Sequence, residues 1–255
     1  MYSLKFFLLT AFVVFAFHGF TQVAMQRNSL GEIMNLADAK FTKVVEGFHI
    51  DGLDLNTRIP FENIRGSRFW KDEWELASIY SNDRRISIVR CRMNLATQEV
   101  HFLLNDKEVA ASNSNYITSV LFHKGSNPSI VTAAFVRDIP DLFFNKKKVD
   151  GFLQVMNFGE YQLLKYTKRI VDNADSLFGT QKRYFFKDEL YYFVMVNDKV
   201  EKVKRLNEEY ILSLIPSASN HKLWIKENNL NFKKEEDVIR FLNYYNSQAS
   251  LTPIK

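Results

Sequence analysis

The sequence predicts a β-dominant α+β fold, with antiparallel sheets built from successive hairpins and two or three short helices at the C-terminal end. Three observations carry that expectation. Short runs rich in β-branched and aromatic residues recur between Glu75 and Val203, and Asn, Asp, Gly and Pro residues separate them. Past Lys204 the apolar spacing changes to that of a helix.

The clearest strands come in pairs. Glu75 to Tyr80 and Arg85 to Asn94 flank Ser81-Asn82-Asp83 and form a first hairpin. Glu99 to Leu104 turns at Asn105-Asp106-Lys107 and returns through Glu108 to Ala111, a turn whose Asn and Asp tolerate left-handed backbone. Tyr116 to Phe122 and Ile130 to Val136 continue the pattern around Gly125-Ser126-Asn127-Pro128. Pro140 to Lys148, ending on three lysines, reads as a solvated link between two halves or, more simply, as an ordinary charged loop. Beyond it come Phe152 to Asn157, Tyr161 to Val171, Arg183 to Phe186 leading into Leu190 to Val196, and Val200 to Val203. Leu104-Asn105-Asp106-Lys107 and Val196-Asn197-Asp198-Lys199 are alike, which a shared turn solution explains more simply than a repeat.

Three helices follow. Asn207 is placed to cap one holding Tyr210, Ile211 and Leu214, and Ser217 or Ser219 to cap one holding Leu223, Trp224 and Ile225. Asn231 precedes Glu235, Glu236 and Asp237, acids that favour a helix start, and Val238, Phe241, Leu242 and Tyr245 then share one face. That stripe is expected to dock on the sheet.

The N-terminal end has a different character. A short lead with Lys5 meets an unbroken apolar run from Phe6 to Phe17, and Gly19 and Thr21 fit the small positions before a cleavage site ahead of Gln22. A spanning helix needs about 20 apolar residues, so a cleaved signal peptide over 1–21 is expected, with no membrane span afterwards. Residues 22–65 are weakly patterned, with a short helix around Ser29 to Ala39 and a strand around Thr42 to His49. The body divides into a β-hairpin unit at 66–145 and a second β unit with C-terminal helices at 146–255, or forms one domain over 66–255. An outer-membrane barrel would need strands of about 9 to 11 alternating residues, and the runs here are mostly shorter.

Cys91 is the single cysteine, so no internal disulfide is possible and no thiol stands at the leader's end to carry a lipid. With Val89 and Met93 on one strand face, it reads as a buried structural thiol. The formal charge of +5 falls to +4 once Lys5 is lost, and the basic residues are dispersed. A nucleic-acid surface would cluster them, so no nucleic-acid partner is expected.

The chain has no Gly-x-Ser-x-Gly, no phosphate-binding glycine loop, no His-Glu-x-x-His and no Cys-x-x-Cys. On a strand His49 and Asp51 would point the same way, and with Asp54 and Asn56 they form a weak metal or acid–base candidate against the simpler reading of a polar turn. His101, between Val100 and Phe102, is expected on the opposite face from them and outside the core. The densest aromatic cluster is Phe69, Trp70 and Trp74 with Arg68 and Arg65 beside it. Arg68, Phe69, Trp70 and Trp74 are the candidate binding residues, a mix that suits a peptide or carbohydrate groove. The competing reading is that these rings fill a core that has no disulfides.

Gly66-Ser67-Arg68-Phe69-Trp70-Lys71-Asp72-Glu73-Trp74, Arg92-Met93-Asn94, Leu163-Leu164-Lys165-Tyr166, the run Lys226 to Asp237 and Tyr244-Tyr245-Asn246 together resemble an uncharacterised family of exported, signal-peptide-bearing β-rich proteins of Gram-negative bacteria. The resemblance covers about Gly66 to Asn246 and implies a leader, a β-rich body and a helical tail. It implies no activity, cofactor or catalytic residue. Arg68 and Phe69 stand where that pattern has Pro and Tyr.

The sequence therefore points to an exported, periplasmic or secreted domain, non-catalytic and without a cofactor, that binds a protein, peptide or glycan in the cell envelope or outside the cell. The rival is an exported hydrolase whose site is assembled from dispersed His and Asp/Glu residues.

Overall fold

The computed structural model describes residues 41–43, 47–49 and 58–249, except 82–83, 105, 112–115, 140–141, 145–146, 176–181, 198 and 216–217. The leader, the helix expected around Ser29 to Ala39, Asp51 and Asp54 lie outside the described residues.

Strands dominate, as expected. The first are β1 (Phe41–Lys43), β2 (Gly47–His49), β3 (Arg58–Pro60) and β4 (Ile64–Arg65). A meander follows through β5 (Glu75–Ser81), β6 (Arg84–Asn94), β7 (Glu99–Leu104) and β8 (Lys107–Ala111). Next come β9 (Ser119–Lys124), β10 (Asn127–Val136), β11 (Phe143–Phe144), β12 (Lys147–Lys148) and β13 (Leu153–Val155). The last are β14 (Tyr161–Asp175), β15 (Lys182–Val196) and β16 (Lys199–Val203).

Twelve strands join in one sheet of order β1-β8-β7-β6-β5-β9-β10-β13-β14-β15-β16, with β4 parallel to β15. The sheet runs unbroken across the expected division near residue 146, because Ala134 of β10 pairs with Val155 of β13. Both Asn-Asp turns close two-residue loops, Leu104 opposite Lys107 and Val196 opposite Lys199. Asp106 (φ 60°) and Asn197 (φ 47°) take the left-handed backbone that such loops demand. The likeness of these segments is a likeness of turns.

Some strands differ from expectation. Tyr116 to Thr118 lead into β9 rather than belonging to it, and Arg183 to Val196 lie within one strand. β6, β10, β14 and β15 reach 11, 10, 15 and 15 residues, so strand length does not separate this sheet from a membrane barrel. Among the described residues, no helix is long and apolar enough to cross a membrane.

Three apolar cores flank the sheet. The first lies on one face of β5–β10 with Ala77, Ile79, Cys91, Met93, Phe102 and Phe122, and Trp70 packs edge-on against Phe135 at 5.2 Å. Cys91 is fully buried and burial pushes its thiol pKa far up, as a structural role requires. The sheet curls enough for the β6–β7 turn to reach β14, five strands along the path. Gln98 makes that closure: its Nε2 donates to the carbonyls of Leu95 and Thr167, both at 2.9 Å, and its Oε1 accepts from Phe152 N at 2.9 Å. A Cβ on Gly151 would stand 2.7 Å from that Oε1 and 2.8 Å from the Tyr166 ring, so the close approach requires glycine.

The second core lies under the helices α1 (Glu208–Leu214), α2 (Lys222–Glu227) and α3 (Glu235–Ala249). Asn207 caps α1 by accepting from Tyr210 N at 2.8 Å. The cap expected for α2 is replaced by a 3-10 turn, Ala218–His221, and His221 at the cap position makes no side-chain capping bond. On α3, Val238, Phe241 and Leu242 are fully buried with Leu163 and Val194 of the sheet. Burying each such side chain contributes about 1.5–3 kcal/mol. Asn246 fixes the far end, accepting from Tyr161 N at 3.0 Å and donating to the carbonyls of Phe158 and Tyr161.

The third core occupies the other face, where Leu153, Leu164 and Phe193 meet Leu142 and Val149. These last two flank the β11–β12 hairpin and are 3% and 8% exposed. The segment expected as a solvated link is therefore a lid over this core, since its flanking apolar residues need cover and its lysines do not.

Candidate binding surface

On β6, β7 and β8 most residues facing away from the first core are polar, Ile88 and Leu103 being exceptions. Register places Arg92 opposite His101 and Asn94 opposite Glu99, and Glu108 opposite Leu103. The segment from Phe61 to Trp74 folds over them. Gly66 turns the chain with φ of 98°, which a side chain would resist. Backbone bonds then fasten it to β6, from Trp70 N to Met93 O and from Leu95 N to Arg68 O, both 2.9 Å. Arg169 of β14 holds the same turn by donating to Ser67 O at 2.8 Å and Phe69 O at 2.6 Å, while pairing with Asp188 through two bonds of 2.6 and 2.7 Å.

Extended backbone sends consecutive side chains to opposite sides. Trp70 enters the first core; Phe69 turns out over the polar residues and is 6% exposed. Rings and guanidinium groups then alternate. Phe61 stacks on Phe186, Arg68 lies 4.1 Å from the Phe61 ring centre and 4.8 Å from that of Phe69, and Arg92 lies 3.8 Å from Phe69 and 4.2 Å from Trp74. Each cation–π contact contributes about 0.5–2 kcal/mol, more as water is excluded.

Two cations this close would repel, and Glu108 offsets that. Its carboxylate lies 2.9 Å from Arg92 Nη2, 3.6 Å from Arg68 Nη2 and 2.6 Å from His101 Nδ1. Burial alone would raise the Glu108 pKa, but hydrogen bonds from His101 and Arg92 outweigh it and hold the carboxyl below its ordinary range. Burial lowers the Arg68 pKa, with Glu108 opposing, and the guanidinium stays charged. Arg92 also donates to Asp72 O at 3.1 Å.

His101 joins the cluster from below. It lies on the face opposite Val100 and Phe102, as expected, but at 1% exposure it is buried, because Phe69 covers its edge at 5.2 Å. Asn94 Oδ1 accepts from the backbone N–H groups of Ala96 and Thr97, which turns its amide nitrogen toward His101 Nε2 at 3.2 Å. On the other side of the ring, Nδ1 meets Glu108 Oε1 at 2.6 Å. Glu99 is held below the ordinary carboxylate range by His101, against burial and with help from the Thr97 hydroxyl at 2.5 Å.

Arg68, Phe69 and Trp74 of the four expected binding residues therefore meet, and Trp70 stands apart in the core. Phe61, Arg92, Glu99 and Glu108 join them without having been singled out from the sequence, and His101, expected only outside the core, joins them as well. The signal for them was the hairpin register, since the two predicted strands align Arg92 with His101. His49 lies on β2 opposite Arg58, and its expected companions Asp51, Asp54 and Asn56 are outside the described residues. Among the described residues, no group of three or more His, Cys, Asp or Glu side chains could hold a metal ion.

A second histidine bears on the hydrolase alternative. His123 Nε2 lies 2.8 Å from Ser78 Oγ, the spacing of a nucleophile and its base. Both residues are 3% exposed, and among the described residues no side chain bonds the buried His123 Nδ1. The pair therefore has neither the access nor the orienting acid that acyl transfer requires. The two acids gather around His101, which is sealed.

Comparison with protein-family models, curated proteins and solved structures finds no match to this chain.

Proposed function

We propose that this chain is an exported, non-catalytic domain of the periplasm or extracellular space, and that it binds a protein, peptide or glycan through the surface built on Arg68, Phe69 and Trp74. The observation supporting this is the ring–guanidinium ladder itself. It occupies a polar sheet face with rigid, amphipathic groups, it leaves Trp74 half-buried at its end, and its charge is set by one carboxylate. Rings and arginines of this kind dominate recognition surfaces because they present large area at small entropic loss. The apolar run of residues 6–17 supports the export part of the proposal.

The test is recovery of a partner from envelope extract by the chain lacking residues 1–21, repeated with Trp74→Ala. A partner recovered by the parent and lost in Trp74→Ala, at an unchanged urea midpoint, is the expected outcome. Recovering none overturns the binding reading, and finding the chain only in the cytoplasm with residues 1–21 attached overturns export. Trp70→Ala should instead lower the yield of folded protein, because its ring fills the first core.

A further inference from the structure

The first half of β6 is an unfilled strand edge. β5 pairs with β6 from Cys91 to Arg84 with a bulge at Ile86, but β7 pairs only with Cys91 to Asn94, and its Leu103 and Leu104 pair with β8 alone. From Arg84 to Arg90, β6 thus has no strand neighbour on its β7 side among the described residues. A strand there presents a row of unused backbone donors and acceptors. The side chains along it have a consistent chemistry. Arg84, Arg85 and Arg90 are exposed and make no ion pair among the described residues, and Ile88 between them is 40% exposed. Arg85 shares the outer face with Tyr80, its register partner. Arg90 lies two residues before Arg92 of the ladder, about 6.6 Å along the strand on the same face.

We propose that this edge binds an extended acidic peptide segment of a partner protein, which adds as a strand beside Arg84 to Arg90 and sets its carboxylates against Arg85 and Arg90. The inference rests on the binding reading above and names the partner's chemistry. Backbone pairing supplies the register, and alternate side chains supply specificity, as in other strand-addition complexes. Charge selects the occupant. A second copy of this chain pairing edge to edge would bring arginine against arginine, a repulsion of the kind that protects exposed edges from self-association. A glycan would leave the backbone donors unused.

The probe is the synthetic peptide Glu-Val-Glu-Val-Glu-Val, titrated by fluorescence anisotropy at low salt against the chain lacking residues 1–21. Controls are its lysine counterpart, an N-methylated version that cannot donate backbone hydrogen bonds, and polygalacturonate. Saturable binding of the acidic peptide is expected, weakened about tenfold in the Arg85→Gln/Arg90→Gln double variant and by N-methylation. Both arginines are exposed and unpaired, so the double variant should keep the parental urea midpoint. No binding of the acidic peptide, equal binding of the N-methylated or lysine peptide, or tighter binding of polygalacturonate overturns the proposal. If the peptide fails while a Trp74-dependent partner is still recovered, this inference falls and the binding reading stands. Loss of that partner as well removes both.

Discussion

The two ends of the sheet are covered in opposite ways. At β14–β16 the cover is three helices, and the contact is apolar: Phe241 and Leu242 against Leu163 and Val194, with polar groups at the rim, where Glu235 meets Lys165 Nζ at 3.1 Å and the Tyr192 hydroxyl at 2.8 Å. At β6–β8 the cover is one irregular segment, and the contact consists of guanidinium groups between rings, their repulsion offset by Glu108. Dispersion and burial are non-directional, so the helical end is defined by shape and volume. The ladder is defined by charge and geometry, and removing one member strands the others. A fold that needed only cover had no use for two arginines here.

The largest effect should come from the apolar end. Phe241→Ala removes a fully buried ring, with an expected loss of about 3–5 kcal/mol read from urea unfolding. At the other end, Glu108→Gln keeps the shape but leaves Arg68 and Arg92 uncompensated, and about 1–3 kcal/mol should be lost. An effect as large as that of Phe241→Ala would make the ladder the chief support of its end. No effect would show that solvent already screens it. Asn246→Ala tests whether the helical end also depends on directed bonds. Loss of its bonds to Phe158 and Tyr161 should cost about 1–2 kcal/mol and raise hydrogen exchange at Tyr161 N.

Acid should separate the regions with the smallest steps. The Glu99 and Glu108 carboxyls titrate below their ordinary value of 4.5 in the folded chain. The unfolded chain therefore takes up protons first as pH falls. Their contribution is complete above about pH 4.5 and is lost as pH drops through that value toward the lowered folded pKa. His123 likewise has its pKa lowered from 6.5, mainly by burial, so its loss begins earlier, as pH falls below about 6.5. Urea midpoints between pH 8 and about 2.5 should show both steps, the upper absent in His123→Gln and the lower reduced in Glu108→Gln.

Much of the fold was legible because local chemistry agreed with tertiary structure. The β7–β8 hairpin announced itself through Asn105-Asp106, and α3 through the stripe at Val238, Phe241 and Leu242. The long arms of β14 and β15 were hidden, since their outer halves alternate poorly. There Arg169 faces Asp188 in register and Lys187 pairs with Asp172 at 3.1 Å, so cross-strand charge pairs replace an apolar face. The site was half legible. Arg68, Phe69 and Trp74 stand close in sequence, whereas Arg92, His101 and Glu108 become neighbours only through register, and Phe61 only through the curl that brings Phe186 beside it.

Gln98 carries a consequence for the order in which the chain becomes structured. Its amide is satisfied by Phe152, 54 residues on, and by Thr167, 69 residues on. During synthesis, the Gln98 amide therefore keeps water in place of its distant partners until β14 has followed the β6–β7 turn. The early hairpins form a provisional structure, and the side chain that completes it works as a checkpoint on the arrival of the second half.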